Sequence, residues 1–346
     1  MGLFFRCVGL SFLLLANVKA ITSVRQAQIV CEPDHPKNEQ TALTSIEQKR
    51  EEVLKPQPLT LEEKRDLVLK HLLEVADKKG FKISTRDLIV NLKFESKILT
   101  SESKQPETSI TFAKYREIFT SKKRLSDAKQ FMQDNASALS TIEAKYKVDK
   151  EIVVALMLME TNLGQRMGSS NLLNSLFSLA IESRRSQFFL KELEVLLTII
   201  DAGNTNITKD SVGSWAGAFG MVQFMPSSFL SFAVDGDGDG IIDIMGNKID
   251  AFASAANYMS KSKWQYGQRV VVPIDTDLSG LNLCETLGRK FDDGVLIAPD
   301  IKTKADIHRL DTEFYVAHDN LASILLWNRA LFFGVMAGIL YDELKK

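Results

Sequence analysis

The sequence predicts a mainly α protein of the α+β kind, with an EF-hand-like calcium loop and a small β element set into it. Three observations carry this. Apolar residues recur at helical spacing through most of the stretch from Leu61 to Leu344. Strand-like runs are confined to about residues 265–318. Between them, Asp235 to Asp250 reads DGDGDGIIDIMGNKID, with aspartates at the spacing of calcium ligands. At 346 residues the chain can bury a full core, and its length allows two or three domains. A net charge of −1 leaves no basic footprint for nucleic acid.

Residues 1–20 read as a secretory signal: Arg6 precedes an apolar run from Val8 to Leu15, and Val18-Lys19-Ala20 is a small-x-small cleavage site. An uncleaved anchor is the rival, but the run is well short of the ~20 residues a spanning helix needs. Cys7 precedes the apolar run and so cannot become a lipid-bearing first residue. Cys31 and Cys284 would remain after cleavage and allow one disulfide. Residues 21–60 are polar, with Pro33, Pro36, Pro56 and Pro58, and read as a linker with a short helix near Ile46 to Leu54.

From Leu61 the period turns helical. Leu67, Val68, Leu72, Val75 and Ala76 form a stripe ending at Gly80; Leu88, Leu92 and Ile98 indicate a second helix. Others are expected at Phe112 to Phe119 and Leu125 to Tyr146. The stretch Ile152 to Gly164, IVVALMLMETNLG, is apolar almost all round, which marks a buried helix stopped by Gly164. Glu160 lies on the same face as Val153, Leu156 and Met157, where a solvated glutamate would not be placed. Burial disfavours a charged carboxyl, so Glu160 is a candidate proton donor. A structural glutamate paired with Arg166 or Arg184 explains the same placement.

Helices are expected at Asn171 to Ile181 and Gln187 to Ile200, with Arg184 and Arg185 at the junction, where arginines commonly cap carbonyls or sit in water. Gly213 to Phe229, GSWAGAFGMVQFMPSSF, lets the backbone approach a ligand or another helix closely. Gln223 is its one amide, able to bond a sugar hydroxyl or acetamido group. In the acidic run, Asp235, Asp237 and Asp239 hold positions 1, 3 and 5, Ile241 offers a carbonyl at 7 and Asp243 stands at 9. Position 12 is Gly246 instead of glutamate, and Asp250 at position 16 can close a longer loop; a solvated turn is the other reading. After a helix at Ala251 to Lys261, strands are expected at Gln268 to Ile274, Gly294 to Ile297 and Glu313 to Ala317. The final apolar helix, Leu321 to Leu344, is interrupted by Asn328 and Arg329, so neither half is long enough to span a bilayer.

Glu160-Thr161-Asn162-Leu163-Gly164, the pair Arg184-Arg185, the run Gly213 to Ser228 and the Asp-rich loop occur in the order and spacing of the membrane-bound lytic transglycosylase B type enzymes. The sequence resembles that family from about Leu61 to Leu344. The resemblance implies a lysozyme-like helical core with a flanking helical region, residues 61–346 as the catalytic region, peptidoglycan glycan strands as substrate and a structural calcium ion. It also implies Glu160 as the single catalytic acid, Ser214 and Gln223 lining the cleft, and Arg184, Arg185 and Asn328 as substrate contacts. The calcium ligands would be Asp235, Asp237, Asp239, Ile241, Asp243 and Asp250. Departures are Trp327 for a tyrosine, Ala330 for a serine, Met221 for a tyrosine and a segment one residue shorter before Arg184. The reading is an exported, periplasmic lytic transglycosylase, soluble or peripheral to the wall, with no membrane insertion expected after signal removal. Its rivals are a muramidase-type hydrolase and a non-catalytic wall-binding protein.

Overall fold

The computed structural model describes residues 59–103, 110–274, 306–310 and 313–346. The expected signal, nearly all of the linker, Cys31, Cys284 and the strand expected at Gly294 to Ile297 lie outside the described residues. The chain forms two units, one of which includes Val68–Lys346 and holds the site. In the other, residues 59–67 contain the start of helix α1 (Leu61–Lys79), where Thr60 and Glu63 form a reciprocal capping pair: the Thr60 N–H donates to Glu63 Oε2 at 2.8 Å and the Glu63 N–H to Thr60 Oγ1 at 3.3 Å.

Helix α1 buries Val68, Leu72 and Ala76 and ends before Gly80, whose φ of +68° supplies the left-handed turn. The single helix expected from Leu88, Leu92 and Ile98 is two, α2 (Ile83–Val90) and α3 (Ser96–Ser103). The break is held by side chains from elsewhere in the fold: the Lys93 N–H donates to Asn174 and the Glu95 N–H to Ser178. Helix α4 (Phe112–Phe119) has the expected limits. The next run divides at Asn135 into α5 (Lys122–Asp134) and α6 (Ala136–Tyr146), and the Asn135 side chain donates to the Phe131 carbonyl at 2.7 Å.

Helix α7 (Lys150–Thr161) is the centre of the core. Every residue from Ile152 to Leu158 is at most 1% exposed. Fully burying one large aliphatic side chain contributes about 1.5–3 kcal/mol, so the six that flank Ala155 fix this helix in place. Its N-terminal end is held by Asp149, 3% exposed, which accepts from Trp264 Nε1 at 2.8 Å, Gly267 N at 2.9 Å, Lys345 Nζ at 3.0 Å and Tyr341 Oη at 3.1 Å.

Beyond α7, strand β1 (Ser170–Asn171) leads into α8 (Leu172–Glu182) and α9 (Ser186–Ala202), and β2 (Val212–Gly213) pairs antiparallel with β1. Helix α10 (Pro226–Phe232) starts on Pro226, as the fixed φ of proline favours, and α11 (Lys248–Lys261) follows the acidic loop. Strands β3 (Val271–Ile274), β4 (Asp306–Leu310) and β5 (Glu313–Ala317) form an antiparallel sheet in the order β3-β5-β4; β4 was not anticipated. The last apolar run is two helices, α12 (Asp319–Trp327) and α13 (Leu331–Lys345), bent by 120° at Asn328 to Ala330. No single helix among the described residues is long and apolar enough to cross a membrane. Helix α7 packs against α5, α6, α11 and α13, so its last turn opens beside the α12–α13 bend.

Candidate active site

The core helix ends one residue after Glu160. Asn162 and Leu163 take left-handed conformations, φ +52° and +62°, ahead of Gly164 at +85°, so the chain leaves the helix three residues before the glycine expected to stop it. Thr161, 1% exposed, holds this exit: its hydroxyl donates to the Met221 carbonyl at 2.7 Å and accepts from the Gly164 N–H at 2.9 Å. Glu160 itself is half-buried, not sealed in the core as its apolar face suggested. In the last turn Leu158 and Thr161 stay buried while Met159 and Glu160 are half-buried, so the open side of this turn is the one that carries Glu160. That exposure is what a proton donor to an external substrate needs.

Trp327, the last residue of α12, donates its indole N–H to Glu160 Oε1 at 2.9 Å. The indole is 5% exposed and lies against the rings of Tyr258 and Phe224, with centroids 4.8 and 5.2 Å away. The Tyr258 hydroxyl in turn donates to the Leu326 carbonyl at 2.6 Å. Sequence reasoning noted Trp327 only as a departure from a family pattern and gave it no task. The signal was that it immediately precedes Asn328, a residue already singled out.

The segment from Gly213 to Phe224 folds as two tight loops. In the first, the Ser214 N–H donates to the Ala218 carbonyl at 2.7 Å while Ser214 Oγ accepts the Ala218 N–H at 3.0 Å. In the second, Phe219 and Phe224 exchange backbone hydrogen bonds of 2.9 and 3.0 Å. Its glycines meet protein: a Cβ on Gly213 would lie 2.3 Å from the Ala218 carbonyl oxygen, and one on Gly220, φ +75°, 2.8 Å from that of Ile244. These two positions therefore serve close packing of the loops, not approach to a ligand. Gln223 sits at φ +48°, a strained region for a non-glycine residue and one that gathers at functional sites. Its side-chain amide donates to the Gly220 carbonyl at 3.0 Å and to that of Met167 at 3.2 Å. Both amide hydrogens are thereby spent, and what Gln223 can offer a ligand is an acceptor, Oε1.

Arg184 is exposed; Arg185 is half-buried with its guanidinium over the Phe188 ring at 4.2 Å. Asn328 is 2% exposed and accepts the Ala330 N–H at 3.0 Å within the bend before α13. Its sequence neighbour Trp327 is the residue whose N–H donates to Glu160 Oε1.

In the acidic loop, ligand atoms of Asp235, Asp237 and Asp250 lie within 4.8 Å of one another. Asp250, completely buried, accepts the Gly236 N–H at 2.8 Å and the Asp243 N–H at 2.7 Å, clamping both ends of the loop. Burial, and then the charges of Asp237 and Asp235, push its carboxyl above the ordinary range, whereas the Gly240 N–H above all holds Asp235 below it. Asp239 and Asp243 are not part of this cluster. Asp239 Oδ1 accepts the Ile241 N–H, and Asp243 is taken up by the N–H groups of Met245 and Gly246 and by Asn206. Ile241 keeps an exposed side chain. Three converging carboxylates, one of them buried, form an all-oxygen donor set suited to a hard divalent cation.

The family described as Transglycosylase SLT domain matches residues 65–341. The chain belongs to this family. Among relatives of this SLT-domain protein, the membrane-bound lytic murein transglycosylase B of Escherichia coli strain K12 is 31% identical over 198 residues. That stretch is 55% of this chain and 54% of the relative, so the match spans about half the length of each. Pseudomonas aeruginosa SltB3, solved in complex with NAG-anhNAM-pentapeptide, is 28% identical with a TM-score of 0.71, covering 83% of this chain and 80% of that one. The E. coli lytic transglycosylase Slt35, solved in complex with calcium, shares the fold at 24% identity and a TM-score of 0.71, covering 82% of this SLT-domain chain and 92% of its own.

Proposed function

We propose that this protein is an exported, periplasmic lytic transglycosylase that cleaves the β-1,4 bond between N-acetylmuramic acid and N-acetylglucosamine in peptidoglycan glycan strands. The observation that carries the reading is Glu160: a half-buried carboxyl at the end of a core helix, with one oxygen held by the Trp327 indole. Protonated Glu160 gives its proton to the glycosidic oxygen, the C1–O bond breaks, and the N-acetylglucosamine side leaves with that proton as a hydroxyl. The muramic acetamido oxygen shields the cationic C1. The muramic 6-hydroxyl then attacks C1 while the Glu160 carboxylate takes its proton, which restores the acid and closes a 1,6-anhydro ring. One group acts as acid and then base because the first step leaves it ionised.

Gln223 Oε1 accepts from a sugar hydroxyl or acetamido N–H, Ser214 lines the same cleft, and Arg184, Arg185 and Asn328 supply further contacts. Asp235, Asp237 and Asp250 would hold a calcium ion, with Asp239, Ile241 and Asp243 as outer parts of its loop; bound there, the ion neutralises the crowded carboxylates. The complex of SltB3 with an anhydro-sugar peptide supports the substrate class.

Digestion of peptidoglycan in ¹⁸O-water tests the reaction. A positioned internal hydroxyl can outcompete ~55 M water because effective molarities of oriented groups reach ~10⁵ M or more. Unlabelled 1,6-anhydro ends are therefore expected, one water lighter than hydrolysis products. Labelled reducing ends would make the protein a muramidase, and absence of any turnover would leave a wall-binding protein.

A further inference from the structure

We infer that Trp327 is the positioning residue of the Glu160 acid, reserving Oε1 as an acceptor so that the transferable proton rides on Oε2. The inference deepens the transglycosylase reading and rests on it. An indole nitrogen donates and never accepts. Its N–H, 2.9 Å from Oε1, is best satisfied while that oxygen is the carbonyl or carboxylate oxygen, a far stronger acceptor than the O–H oxygen of the acid. A protonated Glu160 meeting this constraint has its O–H on the other oxygen, and an ionised Glu160 keeps the same bond in charge-assisted form. The acid therefore passes through its donating and accepting states without turning its carboxyl group. A hydroxyl partner, which accepts as readily as it donates, would permit either oxygen to carry the proton.

The indole is held for this task. Tyr258 and Phe224 lie against it, Tyr258 is itself tied to the Leu326 carbonyl, and only 5% of Trp327 is exposed. On the helices packed against α7, several charged groups have partners away from Glu160. Glu143 pairs with Lys150 and Lys345 with Asp149 at the opposite end of α7; Asp342 pairs with Arg269, Asp127 with Lys123, and Asp250 belongs to the acidic loop. Arg124 on α5 is a half-buried cation whose Nη1 has no hydrogen-bond partner, and beyond the helices Arg166 follows α7 and Arg329 follows Trp327.

The test has one arm that needs no turnover. The titration is read in a Trp215→Phe background, where Trp264 faces Asp149, whose carboxyl stays ionised above its ordinary range, so that its emission should stay constant across mildly acidic to neutral pH. The emission in this background should follow a single titration in that window, and Glu160→Gln and Trp327→Phe should each abolish it. In the second arm, Trp327→Phe on peptidoglycan should lower kcat at least tenfold, with a smaller change in KM. It should also move the basic limb of the kcat/KM profile up by roughly one pH unit, because a donated hydrogen bond favours the ionised acid. A variant that loses activity through misfolding would show it in circular dichroism, and the emission titration of the background protein against Glu160→Gln then decides. No Glu160-linked titration, or a pH profile unmoved in a folded Trp327→Phe, overturns the inference. If the titration runs as expected but the intact protein releases no muropeptides, the transglycosylase reading fails while the Trp327–Glu160 contact stands.

Discussion

Replacing Thr161 by valine should weaken both the fold and the proposed reaction, because one hydroxyl fastens helix α7, which carries Glu160, to the loop that carries Gln223. Valine has the same shape, so no cavity opens, but three partners lose a bond: the Met221 carbonyl, 2.7 Å from Oγ1, the Gly164 N–H, 2.9 Å away, and the Met157 carbonyl at 3.3 Å, which keeps the Leu163 N–H. Leaving a buried polar group unsatisfied costs about 1–3 kcal/mol. Met221 is 7% exposed while Gly164 is half-buried and recovers part of its loss from water, so the sum falls at about 2–4 kcal/mol. At roughly 2–4 °C per kcal/mol for a domain of this size, the melting temperature should drop by about 4–16 °C. Calorimetry measures that drop, and Thr161→Ser, which keeps the hydroxyl, should recover most of it. Muropeptide release below the melting range should fall as well, since a 1 Å misplacement can cost about 10²-fold. A Thr161→Val protein with unchanged melting temperature and unchanged turnover would refute the idea that this contact joins helix to loop.

Glu160→Gln should keep the fold and lose at least 10²–10⁴-fold in turnover, read by release of soluble muropeptides, since an amide fills the space but donates no acidic proton. Calcium chelation should lower the melting temperature more than it changes the chemistry of the folded fraction; free ion at a hundred times its dissociation constant stabilises by ~2.7 kcal/mol, and a melting curve indifferent to calcium and chelator would remove the metal from the loop. Asp237→Ala should abolish that calcium response while Asp239→Ala leaves most of it, because only Asp237 belongs to the converging carboxylates. Asp149→Asn should flatten the loss of stability in acid. Burial pushes this carboxyl up, but Gly267, Trp264 and Lys345 together outweigh it and hold it below its ordinary 3.8, so its contribution is present above that value and disappears as pH falls through the lower folded value, which denaturant titrations across pH 2–5 would follow.

What the sequence revealed, and what it hid, follows from the range of the interactions involved. Helix α7 was legible because its burial is all round, so no partner had to be known for IVVALML to read as core. Continuous runs were misjudged where side chains distant in sequence interrupt them: Asn174 and Ser178 end the helix expected through Leu92, and no local period records that. The Asp-rich loop shows the same limit. Spacing placed five aspartates at ligand positions or one turn beyond, yet three converge, because backbone N–H groups and Asn206 compete for the carboxylates of Asp239 and Asp243. The glycines of Gly213 to Phe229 allowed close approach to a ligand or to another helix, and two of them make room for the carbonyls of Ala218 and Ile244. Glu160 was singled out from its own helix, whereas Trp327, which donates to it, lies 167 residues away, at the end of α12 before the bend to α13. A carboxyl group can thus be singled out as a candidate from its own helix, while the contacts of its two oxygens are a tertiary property. For that reason Trp327 stood in the sequence only as an exception to a pattern, and acquires a physical reason once the fold sets its N–H against Oε1.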